Sequence, residues 1–284
     1  MKLSFTTVLL AIASAVVASP TLSRRVTSRP ANVTRRSGPG KRGLAWPWYN
    51  SPLNPAKFND GSGSVNLIYD WETYSPPSSN GKGGLNFIGM QRCMDCDSSP
   101  ISQLAARQQQ LGFSTIFTLN EPDINGISPT TAHINPFAIK KAIPAVTSSS
   151  ASGQGLDWAQ QFVNICAGRC YFDYINLHWY GTSLADFKAH INAAHAKFPN
   201  KQLVVTEFAL TNPAGGQSAQ VAFFKDAFAF LDGLSYVAMY FPFVASSPAL
   251  FSANDGAGAA FVGTGSTLFN NDGSVSAVGK LMLA

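Results

Sequence analysis

Charge is scarce in this 284-residue sequence, and beyond residue 42 positive charge is scarcer still. Asp, Glu, Lys and Arg make up only 12% of the residues, and the part from Gly43 onward holds just three arginines, Arg92, Arg107 and Arg169. The formal net charge of +5 misleads. Residues 1–42 carry eight basic and no acidic side chains, and the remainder, with twelve basic against fifteen acidic, has a net charge of −3. Nucleic-acid binding rests on clustered Lys and Arg, so that class is set aside for the main body. There is no G-x-S-x-G elbow and no H-E-x-x-H, which leaves serine-hydrolase and zinc-protease chemistry without support. The glycine-rich stretch 255–266 lacks the strand-then-helix context of a phosphate loop and reads as a mobile surface loop. The C-terminal VGKLMLA is too short, and too interrupted by Lys280, for a lipid-anchor signal. No cofactor and no metal is called for.

The N-terminus supplies what the rest lacks. Residues 1–18 combine Lys2, an apolar run and small residues suited to cleavage, the pattern of a secretory signal peptide. The run is shorter than the ~20 residues a membrane span needs. Residues 19–42 are rich in Ser, Pro and Thr without apolar periodicity, and read as a disordered basic pro-segment. Its dibasic pairs are Arg24-Arg25, Arg35-Arg36 and Lys41-Arg42, the last of which would leave Gly43 at the start of a single domain, 43–284. The expected location is extracellular or in a cell wall, with no membrane attachment after processing. The only N-x-S/T site, at Asn32, falls inside that segment.

There are four cysteines, Cys93, Cys96, Cys166 and Cys170. An even count in a secreted chain points to disulfides rather than to a zinc site. Local pairs are favoured, and crossed pairs remain open.

Short, β-rich apolar runs occur at 43–46, 65–71, 87–91, 115–119, 143–147, 174–179, 203–206 and 237–243. They are continuous rather than alternating, as strands buried on both faces are. Helical patterns fall between them at 101–111, 156–167, 183–198 and 218–231. In the last of these, Val221, Phe224, Phe228 and Leu231 share one face. Ser183 is a candidate cap, with Asp186 in the first turn. Eight strand–helix units in 242 residues predict an α/β fold, a single (β/α)8 barrel of the TIM type. Its first units are poor in helix.

Catalytic groups of such a barrel sit at the C-terminal ends of its strands. Glu121 ends the fourth run, in FTLNEPD, and Glu207 ends the seventh, in VVTEFAL. Strands four and seven face each other across the mouth. Two carboxylates over a groove are the equipment of a glycosidase, one to protonate the leaving oxygen and one to attack the anomeric carbon. Glu121 alone would also suit a helix start with Pro122 at its first position.

RGLAWPWYN, LNEPD, NLHWYG and VVTEFAL, in this order, resemble glycoside hydrolase family 128, secreted β-1,3-glucanases with a retaining (β/α)8 barrel. The likeness covers nearly all of 43–284. It implies Glu121 as acid/base, Glu207 as nucleophile, and Asn120 on the 2-hydroxyl of the sugar being cleaved. His178 and Tyr180 resemble sixth-strand site residues, with Tyr180 placed to hold Glu207 and Trp179 turned outward. Trp46 and Trp48 are candidates for a sugar platform. The eighth run reads Tyr240-Phe241-Pro242-Phe243 where relatives carry a Trp, so Tyr240 or Phe241 is expected to floor the site. About ten residues after NEPDINGISPTTA are missing relative to the family, which predicts a shortened fourth helix. The expected partner is β-1,3-glucan or a related polysaccharide such as mannan or β-1,4-glucan, bound by a monomer. The alternative is a glucan-binding wall protein that cleaves poorly. Asp70 and Glu72 are read as rim or structural residues rather than catalytic ones, with sugar contact left open to Asp70, and Asp123 is read as the cap of a turn.

Overall fold

The computed structural model describes residues 40–132 and 139–284. The expected signal peptide and most of the basic segment lie outside the described residues. Nine strands form one sheet: β1 (Arg42–Ala45), β2 (Val65–Tyr69), β3 (Asn86–Phe87), β4 (Gly89–Met90), β5 (Thr115–Asn120), β6 (Lys140–Ala145), β7 (Tyr174–Gly181), β8 (Gln202–Leu210) and β9 (Val237–Tyr240). Their order is β3-β2-β1-β9-β8-β7-β6-β5-β4, and every pairing is parallel. The two edges, β3 and β4, are halves of one strand interrupted at Ile88, the first bonded to β2 and the second to β5. Nine segments therefore make the eight strands of a (β/α)8 barrel.

The helices are α1 (Leu104–Leu111), α2 (Gly155–Cys166), α3 (Leu184–Lys197), α4 (Gly216–Gly233), α5 (Pro248–Asn254), α6 (Gly256–Val262) and α7 (Ala277–Met282). Ser183 caps α3 by accepting from the Asp186 amide at 3.1 Å. On α4, Phe224, Phe228 and Leu231 are buried against the sheet, joined by Phe223. Among the described residues, no α-helix lies between β1 and β3, and 121–132 after β5 form turns. The first units are thus reduced as expected. No helix of the described residues is long and apolar enough to cross a membrane.

Two cores hold the barrel. Inside it, Ala45, Tyr69, Met90, Phe117, Val204 and Phe241 pack together. Outside, the sheet meets the helices through phenylalanines, with Phe187 and Phe208 stacked at 5.1 Å between ring centroids. Gly43 permits the inner packing, since a Cβ there would come within 2.1 Å of the Phe241 ring. The disulfides are local, Cys93–Cys96 and Cys166–Cys170. One boundary differs from expectation: β1 begins at Arg42, so the basic pair Lys41-Arg42 lies within the folded barrel.

Candidate active site

Parallel strands all deliver their C-terminal ends to one mouth. There β5 ends in Asn120, with Glu121 next; β7 brings His178 and Tyr180; β8 brings Thr206 and Glu207; and the turn after β2 brings Asp70, Trp71 and Glu72. His178 and Glu207 are register partners across β7 and β8. Alternation sends Trp179 outward, stacked on Phe223 at 5.6 Å.

Glu207 is buried and doubly held. Trp71 Nε1 donates to Oε1 at 2.7 Å, and the Tyr180 hydroxyl donates to Oε2 at 2.7 Å. Both donors serve the ionised carboxylate. Glu121 is half-buried, and its Oε1 pairs with His178 Nδ1 at 2.9 Å. His178 Nε2 lies 2.9 Å from Thr206 Oγ1, which itself donates to Asn176 Oδ1 at 2.7 Å. Facing a carboxylate, Nδ1 donates to Glu121, and the role of Nε2 toward Thr206 follows the protonation of the ring.

The electrostatics agree. Burial lowers the pKa of His178, but the charges of Glu207 and Glu121 outweigh it and the net shift is upward. Burial raises Glu121, but the bond to His178 and its charge prevail and hold it below the usual carboxylate value. Glu207 is raised, chiefly by burial and further by Glu121, against the opposing pull of His178, Tyr180 and Trp71. The three groups are thus linked: the two carboxylates draw His178 up, and His178 draws both of them down. Donor atoms of Glu121, His178 and Glu207 all lie within 4.8 Å of one another. These could in principle gather a metal, but both ring nitrogens of His178 are committed to hydrogen bonds.

Two non-glycine residues of the mouth have left-handed backbones, Trp71 at φ 61° and Glu121 at φ 45°. Such conformations cost about 1–3 kcal/mol each and persist where the surroundings fix them. The Glu121 amide donates to Ala145 O at 2.9 Å and its carbonyl accepts from Asn125 Nδ2 at 2.9 Å, and Asp123 anchors the turn that follows. Its carboxylate accepts from Thr147 Oγ1 at 2.6 Å, from the Thr147 amide and from the Gly155 amide at 2.8 Å. The turn carrying Glu121 is thereby tied to the end of β6 and the start of α2. Glu72 is structural too, bonded to Arg92 at 2.9 Å and to Ser99.

The cleft has two lobes that share Glu207 and Phe243. One, of about 480 Å³, is lined by Trp48, Asp70, Glu72, Arg92, Asn120 and Asp255. The other, of about 300 Å³, is lined by Glu121, Ile124, Thr147, Tyr180 and Phe261. Asn120 Oδ1 is buried without a protein partner among the described residues, leaving it for a ligand or water.

The structure brings together Glu121, Glu207, Asn120, His178, Tyr180 and Trp48, the last 63% exposed. It does not bring Trp46 or Tyr240. Trp46 is fully buried, with Nε1 donating to Pro77 O and its ring against Phe269, so it belongs to the core. Tyr240 points into the helix layer, its hydroxyl between Arg42 and Asp232, and Phe241 fills the barrel interior. The floor is Phe243, one alternation further on. Three site residues escape the sequence reading. Trp71 had a signal, an indole between two acids at a strand end. Phe243 lay in the eighth run. Phe261 had none, because 255–266 reads as a mobile loop; it is instead α6, capped by Asp255 at the Gly258 amide (2.9 Å), and a following helical turn.

The family profile described as glycosyl hydrolase catalytic core matches residues 43–282. Among solved structures, the chain is similar to an endo-β-1,3-glucanase of glycoside hydrolase family 128, subgroup IV, from Lentinula edodes. That likeness has TM-score 0.83 and 62% identity over 86% of this chain and 100% of the other. A second is a curdlan-specific exo-β-1,3-glucanase of subgroup III from Blastomyces gilchristii, in complex with glucose, with TM-score 0.66 and 26% identity over 87% and 99%. A subgroup I endo-β-1,3-glucanase from Amycolatopsis mediterranei, in complex with laminarihexaose, shares the fold at TM-score 0.64 and 23% identity over 86% and 98%. A comparison with curated protein sequences returned no match.

Proposed function

Since this chain belongs to glycoside hydrolase family 128 and is a glycoside hydrolase, we propose that it is a secreted endo-β-1,3-glucanase acting on cell-wall glucan with retention of configuration. Glu207 is the nucleophile and Glu121 the acid/base. The observation that carries the reading is the spacing of these two groups, whose nearest oxygens lie within 4.8 Å across the mouth. Retaining enzymes hold their carboxyls ~5–5.5 Å apart, whereas inverting ones need ~6.5–9.5 Å to seat a water between them. The linkage follows the subgroup IV relative at 62% identity, an endo-β-1,3-glucanase.

The proposed chemistry starts from a proton carried by His178. His178 passes its Nδ1 proton to Glu121 along their hydrogen bond, leaving a neutral imidazole and a protonated acid. Glu207, ionised and aimed by Trp71 and Tyr180, attacks the anomeric carbon as the glycosidic bond breaks and Glu121 protonates the departing oxygen. Glu121, now ionised, then takes a proton from water, whose oxygen attacks the same carbon and frees Glu207. Asn120 lines only the larger lobe and Glu121 only the smaller. The retained sugars therefore occupy the side of Trp48, and the leaving portion lies over Phe261. Room on both sides of the glutamates favours internal cleavage. The alternative of a binding protein without turnover draws on the turns formed by 121–132 after β5, but within those turns Asp123 ties the segment that carries Glu121 to β6 and α2.

Proton NMR of the secreted chain mixed with laminarin-derived oligosaccharides tests this. Fresh β-anomer should appear before mutarotation. Initial α-anomer would remove retention, and binding without new reducing ends would leave the binding protein. Phe261→Ala should weaken hydrolysis of long oligosaccharides a few-fold while sparing an aryl glycoside; equal loss on both would remove the assigned direction.

A further inference from the structure

The basic pair Lys41-Arg42 looks, in sequence, like the last dibasic processing site before the barrel. In the structure both side chains are spent on closing that barrel. Lys41 Nζ donates to the carbonyls of Leu231, Asp232 and Leu234 at 3.3, 3.1 and 2.8 Å, at the C-terminal end of α4. Arg42 Nη1 donates to the carbonyls of Leu281, Met282 and Ala284 at 2.9, 3.0 and 2.7 Å, at the end of α7. Two helix C-termini, each with carbonyls lacking intrahelical partners and a negative dipole end, thus receive one cation apiece. Arg42 also pairs through Nη2 with Asp232 at 2.7 Å and through Nε with the Tyr240 hydroxyl at 2.8 Å, and both members of the ion pair are buried. The backbone takes part as well. The only register pair between the first and last barrel strands is Arg42 with Tyr240, and the Tyr240 amide donates to Lys41 O at 2.8 Å.

We infer that Lys41 and Arg42 are retained in the mature enzyme as a latch across the β1–β9 seam, and that a dibasic-specific secretory protease completes processing at Arg35-Arg36, giving a chain that starts at Ser37. A protease of that specificity must draw both basic side chains into its own pockets with the backbone extended. Here that would require breaking the seam first. Hydrolysis of the Arg42–Gly43 peptide, with one water added, would leave a new ammonium on a buried glycine. Departure of Arg42 would leave Asp232 and the Tyr240 hydroxyl buried without their guanidinium partner, a strongly destabilising condition.

The full chain is expressed in a secreting host that has such a protease, and the N-terminus of the secreted protein is read by sequencing and intact mass. The expected start is Ser37, with no trimming beyond Lys41. A dominant species starting at Gly43, or one still carrying residues upstream of Ser37, overturns the inference. In a second arm the secreted protein is incubated with the same protease, folded and in urea. Cleavage after Arg42 should occur only in urea; equal cleavage in both overturns the latch. Because Arg42→Met could fail to fold, Lys41→Gln supplies a milder variant that should lower Tm by several degrees. An unchanged Tm there also overturns it. None of these outcomes involves Glu121 or Glu207, so they stand apart from the glucanase reading.

Discussion

Glu207 lies inside β8, a strand flanked by β7 and β9, and is itself in register with His178, whereas Glu121 stands just past the end of β5 on a turn with φ 45°. Glu207 is nearly enclosed and receives a donor on each oxygen. Glu121 is half-open, meets one imidazole, and depends on Asp123 two residues away to stay in place. The contrast matches the two proposed tasks. A nucleophile must be fixed in position and kept ionised, which suits a strand and two donors. An acid/base must gain and lose a proton in each turnover, which suits a group open to the leaving oxygen and bonded to a proton carrier. One region is rigid through secondary structure; the other is rigid through hydrogen bonds on its own backbone, with Ala145 and Asn125, and through the bonds gathered by the Asp123 carboxylate.

Breaking the comparison at its centre should have the largest effect. Glu207→Gln keeps both donors' geometry but removes the attacking charge, and kcat should fall by ~10⁴-fold or more with oligosaccharide binding kept, read by calorimetry beside turnover. Glu121→Gln should cost ~10²–10⁴-fold on glucan, the range of a general acid, and much less on an aryl glycoside whose leaving group needs no proton. Equal losses on the two substrates would erase the distinction between the residues. Tyr180→Phe removes one charge-assisted hydrogen bond, about 1.5–3 kcal/mol, and should lower kcat ~10- to 100-fold. Its sign in pH is fixed: the hydroxyl favours ionised Glu207 and pulls its pKa down, so its loss raises that pKa and moves the acid limb of kcat/KM to higher pH. The smallest effect belongs to the other region. Asp123→Asn weakens the tie beneath Glu121, should cost about 1–2 kcal/mol of stability in urea unfolding, should lower kcat several-fold and, because the Asp123 charge helps to raise His178, should move the His178 titration slightly to lower pH.

Both glutamates were legible because a carboxylate at the end of an apolar run is visible without knowing the fold, and the barrel follows from counting such runs. His178 and Tyr180 were legible through the likeness of NLHWYG to the family's sixth strand, and alternation along that strand turned Trp179 outward. Legibility failed where the chain leaves a regular strand. Trp46 and Trp48 differ by two positions across Pro47, and only the latter reaches the cleft. Tyr240, Phe241 and Phe243 share one run, and a shift of one position exchanges helix layer for interior. Lys41-Arg42 carries the pattern of a cleavage site, and only the far ends of α4 and α7, 190 and 239 residues away, reveal its other use. Glycine and alanine concealed α6, because their low apolar content hides the period by which a buried helix is recognised.

The bare α-carbon of Gly43 under the ring of Phe241 makes these two positions one heritable unit. Neither can drift alone: a methyl at 43 overfills the interior at a cost of about 1–3 kcal/mol, and a small residue at 241 leaves a hole. Gly43→Ala should therefore be poorly tolerated in the native background and substantially rescued by Phe241→Leu. Among descendants of this chain, the two codons should change together or not at all.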